Sequence, residues 1–257
     1  MTMTQQMTSP EHIEYVLRLG DNALILGQRL SEWCGHAPVL EEDMALANMS
    51  LDLIGQARML LTHAGRLEGR GRDEDQLAFL RTEPNYRNLT LCELPNQDFA
   101  RTMVRNFLYS SFQKLLWERL MTSSDAELAA IAAKSIKEAR YHAQHAGDWV
   151  IRLGDGTAES HARAQGALDY LWPYTAEFFA ATPVDDTVAA AGVGPAWSEL
   201  ETAWEALVLP VLAEATLTVP ARTPFRSYGK FGRHSEHMGH LLAEMQIMQR
   251  TYPGAQW

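Results

Sequence analysis

Residues 125–156, DAELAAIAAKSIKEARYHAQHAGDWVIRLGDG, decide how the rest of the chain is read. Ser124 and Asp125 offer a helix cap, apolar and polar residues recur without strand-like alternation, and the turn Gly154-Asp155-Gly156 stops the run after Leu153. This is one long helix. An advance of about 100° per residue brings Ile131, Ser135, Glu138, His142, Ala146 and Trp149 into one narrow arc, with His145 at its border and Tyr141 on its flank. An acid and an imidazole four positions apart on a buried face suit a metal-ligand pair, a general-base pair or a mutually satisfied buried pair.

Working outward, the same punctuation recurs. Ser9, Pro10 and Glu11 start a helix that runs through Ile13 to Cys34 and stops before Gly35 and Pro38. Glu41, Glu42 and Asp43 open a second, MALANMSLDLIGQARMLL, expected to end near Gly65. A third spans Asp98 to Met121. Later helices are expected at Glu159–Ala180, bent by Pro173, at Pro195–Leu217 with Pro210 inside, and at Ser235–Arg250. Four helices of about 22 to 29 residues, each roughly 33 to 43 Å long, suit an all-α four-helix bundle with extra helices packed outside. The core of that single domain is placed at about 11–153 and the accessory helices at about 159–250.

The second helix is apolar almost all round between Met44 and Leu61, which predicts burial on every side. Asp52 lies within it, flanked four residues away by Asn48 and Gln56, and Asp21 repeats the theme in the first helix. A di-metal bundle needs a Glu on each of two helices and Glu-x-x-His on each of the other two. Here Asp52 has Gly55 at i+3, Glu138 has Tyr141, and no acid lies between Asp98 and Glu118, where Tyr109, Ser110, Ser111 and Gln113 stand instead. Asp21, Asp52, Glu138 and His142 therefore read as a degenerate buried polar site with too few donors for two irons. The competing reading keeps these four residues as ligands of an iron-dependent oxygenase.

With 257 residues and 46% apolar composition, the chain needs neither metal nor disulfide to stay folded. A net charge of -10 is the wrong sign for a nucleic-acid partner. Cys34 and Cys92 are too few for a disulfide framework and suit a reducing compartment, so the cytoplasm is expected. The opening MTMTQQMTSPEH lacks the basic and apolar regions of a signal peptide, and no apolar run is long enough for a membrane span.

Three stretches, LRLGDNALILGQRLSEWCGHAPVLEEDMALANMSLDLIGQAR (17–58), AKSIKEARYHAQHAGDWVIRLGDGT (133–157) and HSEHMGHLLAEMQIMQRTYPGAQW (234–257), together resemble the ferritin-like subunits of bacterial phenylacetyl-CoA epoxidases. The likeness runs from near Tyr15 to Trp257. It implies a ferritin-like fold and a non-catalytic, structural place in phenylacetate catabolism, beside a homologous A subunit that carries the di-iron centre and epoxidises the ring with O₂. Electrons would come through a separate flavin and iron–sulfur reductase, so no cofactor is expected in this chain. It also implies other complex subunits as partners and points to phenylacetyl-CoA contacts on two loops.

The first of these loops lies in the polar stretch 68–98, where Asn85, Tyr86, Arg87 and Asn88 combine a stacking ring, a cation and amides suited to the nucleotide end of coenzyme A. A solvated loop is the plain alternative. The second holds Asp186, Thr187 and Val188, whose acid is unfavourable beside phosphates. Trp172, Tyr174, Phe178 and Phe179, or Met238, Met245 and Met248, suit either a partner surface or ordinary core packing. His234, Glu236 and His237 read either as a metal cluster or as solvated caps at a helix start.

Overall fold

The computed structural model describes residues 9–255, so most of the opening segment read for a signal peptide, and the last two residues, lie outside it. Ten α-helices and short 3₁₀ turns make up the described chain: α1 Pro10–Ser31, α2 Leu40–Glu68, α3 Glu74–Phe79, α4 Thr90–Glu93, α5 Phe99–Leu120, α6 Ala126–Gly154, α7 Ala158–Leu171, α8 Pro183–Ala190, α9 Glu201–Glu214 and α10 Glu236–Thr251. None is long and apolar enough to cross a membrane.

The sequence signals act where expected at most boundaries. The Ser9 hydroxyl accepts from the His12 amide with Pro10 in the first turn, Asp98 accepts from the Arg101 amide, and Asp125 accepts from the Glu127 and Leu128 amides. Helix α2 overruns the expected stop. Gly65 lies inside it, a glycine there because the Arg72 carbonyl packs where a Cβ would stand, and the left-handed cap is Gly69, at φ 64°.

α1 and α2 lie antiparallel at close range, with Gly20 against Leu60 and Leu61 and Gly27 against Leu53 and Ile54. The Ser50 hydroxyl donates to the Gly27 carbonyl at 2.8 Å, a contact that a side chain at Gly27 would push apart. α5 and α6 form the second antiparallel pair, fixed by Phe107 on Gly147 at one end and Arg140 to Glu118 at the other. α2 then runs antiparallel to α6. Two helix pairs with a long crossover between the second and third members form the ferritin-like arrangement.

That crossover, residues 69–98, is the polar stretch, and its length follows from having to return along the bundle. It is tied to α1 throughout. Arg81 donates to Asp21, the Leu89 amide donates to Asn22 at 2.7 Å, Arg29 donates to the Glu93 carbonyl at 2.9 Å and Asn96 donates to the Arg29 carbonyl at 2.6 Å.

α7 to α9 cover the bundle from outside, with two corrections to expectation. The expected helix Glu159–Ala180, bent at Pro173, is not one α-helix. α-Helix stops at Leu171 and continues as a 3₁₀ turn, Trp172–Glu177, because proline lacks the amide and its ring opposes the carbonyl four residues back. The expected helix from Pro195 likewise becomes a 3₁₀ turn, Trp197–Leu200, before α9, which does carry Pro210 inside. Trp172, Phe178 and Phe179 are core residues, not an open partner surface: they pack around Trp204, whose indole donates to the Leu108 carbonyl at 2.9 Å. Tyr174 is half-buried against Phe225. Met238 is buried, Met245 is half-buried, and Met248 is exposed. One hydrophobic cluster joins all layers, including Tyr15, Trp117, Trp197, Trp204 and Met238.

Lys230 sits inside this cluster, fully buried, its ammonium donating to the Ala180 carbonyl at 2.7 Å and lying 5.0 Å from the Trp197 ring centre. Burial pushes its pKa from 10.5 down to about 8, against the opposing pull of Asp185 and Glu177. Between those values the unfolded chain holds a proton that the folded chain has released, so stability rises with pH across the window. Below it the full penalty of the buried charge, about 3 kcal/mol, is present. Relative to Lys230→Met, the wild type should therefore gain about 2 kcal/mol between pH 7.5 and 9.5 in urea unfolding. Parallel curves for the two proteins would contradict this assignment.

Candidate functional site

Between α2, α5 and α6 the bundle holds a short ladder of polar side chains. Asp52 Oδ2 lies 3.0 Å from His142 Nε2, the Gln56 amide donates to Glu138 Oε2 at 2.8 Å, and the Gln113 amide donates to Gln56 Oε1 at 3.1 Å. The geometry follows from two antiparallel helices that each place polar groups at i and i+4: the rungs run across α2 and α6, Asp52 to His142 and Gln56 to Glu138. Glu138 and His142 thus do not pair with each other. The Asp52 carboxylate is also less enclosed than expected, its side chain 36% exposed while that of His142 is 3%. Asn48 is exposed and outside the ladder.

The reason is the position of α2, whose outer stripe faces solvent. Leu40 is 73% exposed, Met44 58% and Leu51 66%, so this helix is apolar all round without being covered all round.

Asp21 is not part of this site. It is fully buried in a separate ion pair with Arg81, which also donates to the Leu77 and Asn85 carbonyls and lies 4.2 Å from the Tyr86 ring centre. The Arg87 amide donates to the same carboxylate at 2.8 Å. Burial works against the Arg81 charge, yet Asp21 more than offsets it and the guanidinium pKa stays raised. The sequence grouping of Asp21 with Asp52, Glu138 and His142 is therefore corrected: three of the four share a neighbourhood.

Two carboxylates and one imidazole, each already partnered, do not fit a pair of irons. The amide of Gln56 stands against Glu138 and Gln113 supplies another amide, where charged ligands are required.

The expected coenzyme A loop is also differently used. Tyr86 is fully buried, its hydroxyl donating to the Ala78 carbonyl and accepting from Gln246, so it presents no face for stacking. Asn88 is fully buried and donates to Glu93 at 2.8 Å. Arg87 is half-buried and donates to the Pro84 and Tyr86 carbonyls, which leaves Asn85 as the exposed member of the four. Asp186, Thr187 and Val188 lie in a helix, α8, and not a loop. Thr182 and Asp185 close a capping box at its start, Asp186 and Thr187 are exposed, and Val188 is buried.

His234, Glu236 and His237 do not converge. The His234 side chain is buried with Nδ1 2.7 Å from Glu93, and although burial disfavours its charge, the carboxylate raises its pKa overall. Glu236 is solvated and 3.9 Å from His237. Ser235 caps α10.

One cluster escapes a reading of the sequence. His12, His63 and Asp125 meet at one end of the bundle, from the first turn of α1, the last third of α2 and the N-cap of α6. Burial alone would raise the Asp125 pKa, but hydrogen bonds with His12 and His63 and from the Leu128 amide hold it well below the usual carboxylate range. No local spacing announces three residues so far apart in the chain. The one available signal is that His63 follows Gln56 by two helical turns, on the same buried face of α2.

The family described as "Phenylacetic acid catabolic protein" matches residues 1–257. Among curated proteins, the chain is similar to the C subunit of 1,2-phenylacetyl-CoA epoxidase of Escherichia coli (strain K12), with 51% identity over 243 residues, covering 95% of this chain and 98% of that protein.

Proposed function

The chain belongs to the family of phenylacetic acid catabolic proteins, and from that membership we propose that it is the non-catalytic, structural subunit of a multicomponent phenylacetyl-CoA 1,2-epoxidase. It stabilises and orients a homologous A subunit that carries the two irons and performs the chemistry in the cytoplasm. The observation that carries this reading is the ladder Asp52–His142, Gln56–Glu138 and Gln113, in which amides occupy the positions where a metal centre requires anionic ligands. Within the ladder Asp52 and His142 pair with each other and Glu138 accepts from Gln56, so each ionisable member already has a side-chain partner. Leu40, Met44 and Leu51 add support, since an outer apolar stripe is what a permanent partner covers.

The test uses the reconstituted complex. Glu138→Gln in this subunit should leave epoxidation within a few-fold of wild type. Because His142 pairs with Asp52 and not with Glu138, the unfolding free energy of the variant should fall by no more than about 1 kcal/mol. Complete loss of turnover in a complex that still elutes intact would overturn the structural role and favour an iron site in this chain.

A further inference from the structure

We propose that His12, His63 and Asp125 form a binding site for one first-row divalent transition ion, Zn²⁺ being the reference case, at the end of the bundle remote from the polar ladder. Both imidazole Nε2 atoms point at the same carboxylate oxygen, at 2.8 Å for His12 and 2.6 Å for His63, and all three donor atoms lie within 4.8 Å of one another. The two rings meet edge to face, their centres 6.5 Å apart, so neither blocks the other's nitrogen. Two imidazoles and a carboxylate are the donor set that suits zinc, iron, cobalt or nickel in preference to magnesium or calcium.

The carboxylate is held from behind. Asp125 Oδ1 accepts from the Glu127 and Leu128 amides at the start of α6, which leaves Oδ2 to face the imidazoles. Backbone donors that fix a ligand's orientation in this way are a regular feature of metal sites. The side chains of His63 and Asp125 are each 8% exposed and that of His12 is 17%, so the donors are shielded yet reachable. They line a cleft with Ser9, Thr187 and Val188, and among the described residues no lysine or arginine lines it to repel a cation.

Entry of the ion takes the Nε2 lone pairs, so each neutral imidazole keeps its one proton on Nδ1 and a protonated ring releases its second proton to solvent, while Oδ2 moves back by a few tenths of an ångström, since donors about 2.0 to 2.2 Å from a metal stand more than about 3 Å apart. Three protein ligands leave at least one coordination position for water or a small anion from the cleft. The ion would join α1, α2 and α6 at one point. This site is independent of the catalytic or structural role of the chain.

Calorimetry of the metal-free full chain with Zn²⁺ alone, at about pH 7.5, tests the proposal. One ion should bind with a Kd below about 1 μM. His12→Ala and His63→Ala should each weaken that binding by about 100-fold or more, whereas His240→Ala, on the exposed face of α10, should not change it. With Co²⁺ as the probe, a visible band of a four- or five-coordinate ion should appear in the wild type and vanish in His63→Ala. Circular dichroism identifies variants that have lost the fold, and His12→Gln serves as the second ligand variant if His12→Ala does so. Equal affinity in wild type and folded ligand variants would overturn the site, as would failure of the wild type to bind either ion below about 100 μM.

Discussion

Asp21→Asn is expected to lower the unfolding free energy by about 3 to 5 kcal/mol, the largest effect of any single polar substitution in the bundle. The change is nearly isosteric, so packing contributes little to the loss. What is lost is the negative charge opposite Arg81, whose side chain is 4% exposed and whose Nη1 and Nη2 both face the carboxylate. An uncompensated guanidinium in that position has no route to water, and the Arg87 amide loses a charged acceptor as well. The pair is expensive to break without being a large source of stability. Asp21→Leu combined with Arg81→Met should therefore recover most of the deficit, short of the cost of leaving the Arg87 amide unbonded. Urea unfolding of the two single variants and the double variant measures the coupling. A loss under about 1 kcal/mol for Asp21→Asn would show that solvent reaches the pair.

Trp204→Ala is expected to cost about 3 to 5 kcal/mol, and to distribute that cost unevenly. The indole is 2% exposed and fills the space between Trp172, Phe178 and Phe179, with ring centres 5.5, 6.0 and 5.3 Å away. Its removal opens a cavity between the accessory layer and α5 and leaves the Leu108 carbonyl without its indole donor. Hydrogen exchange should accelerate most in residues 158–217, while α1 and α2, packed through glycines on the far side, keep their protection. Uniform acceleration along the whole chain would indicate that the accessory helices and the bundle unfold as one unit.

The long helices are legible in the sequence because each carries its own punctuation. Ser9-Pro10, Asp98 and Asp125 start helices where capping chemistry puts them, and periodicity alone fixes which residues of α6 share an arc. Partners across the bundle are not legible. Periodicity places Glu138 and His142 on one face, yet which of Asp52 and Gln56 each meets depends on the register of α2 against α6, which no local pattern records. Asp21 misleads for a related reason: its partner, Arg81, belongs to a crossover whose path is set by tertiary contacts. Residues 85–88 look suited to a ligand because ring, cation and amides also make a well-bonded interior, and sequence does not separate the two uses. His12, His63 and Asp125 are invisible because convergence from three helix ends is a property of the assembled bundle.

The crossover bears on how the chain is made. Its ties to α1, Arg81 to Asp21, Leu89 to Asn22 and Asn96 to Arg29, close entirely within the first hundred residues, so the amino-terminal hairpin and its strap can knit together while translation is still under way. Glu93 cannot finish so early. It waits for His234 and the Ser235 amide, some 140 positions later, and Glu177 waits in the same way for the Lys230 amide. A ribosome stalled short of the last thirty codons should thus hold a nascent chain whose front half resists protease and whose latch is still open.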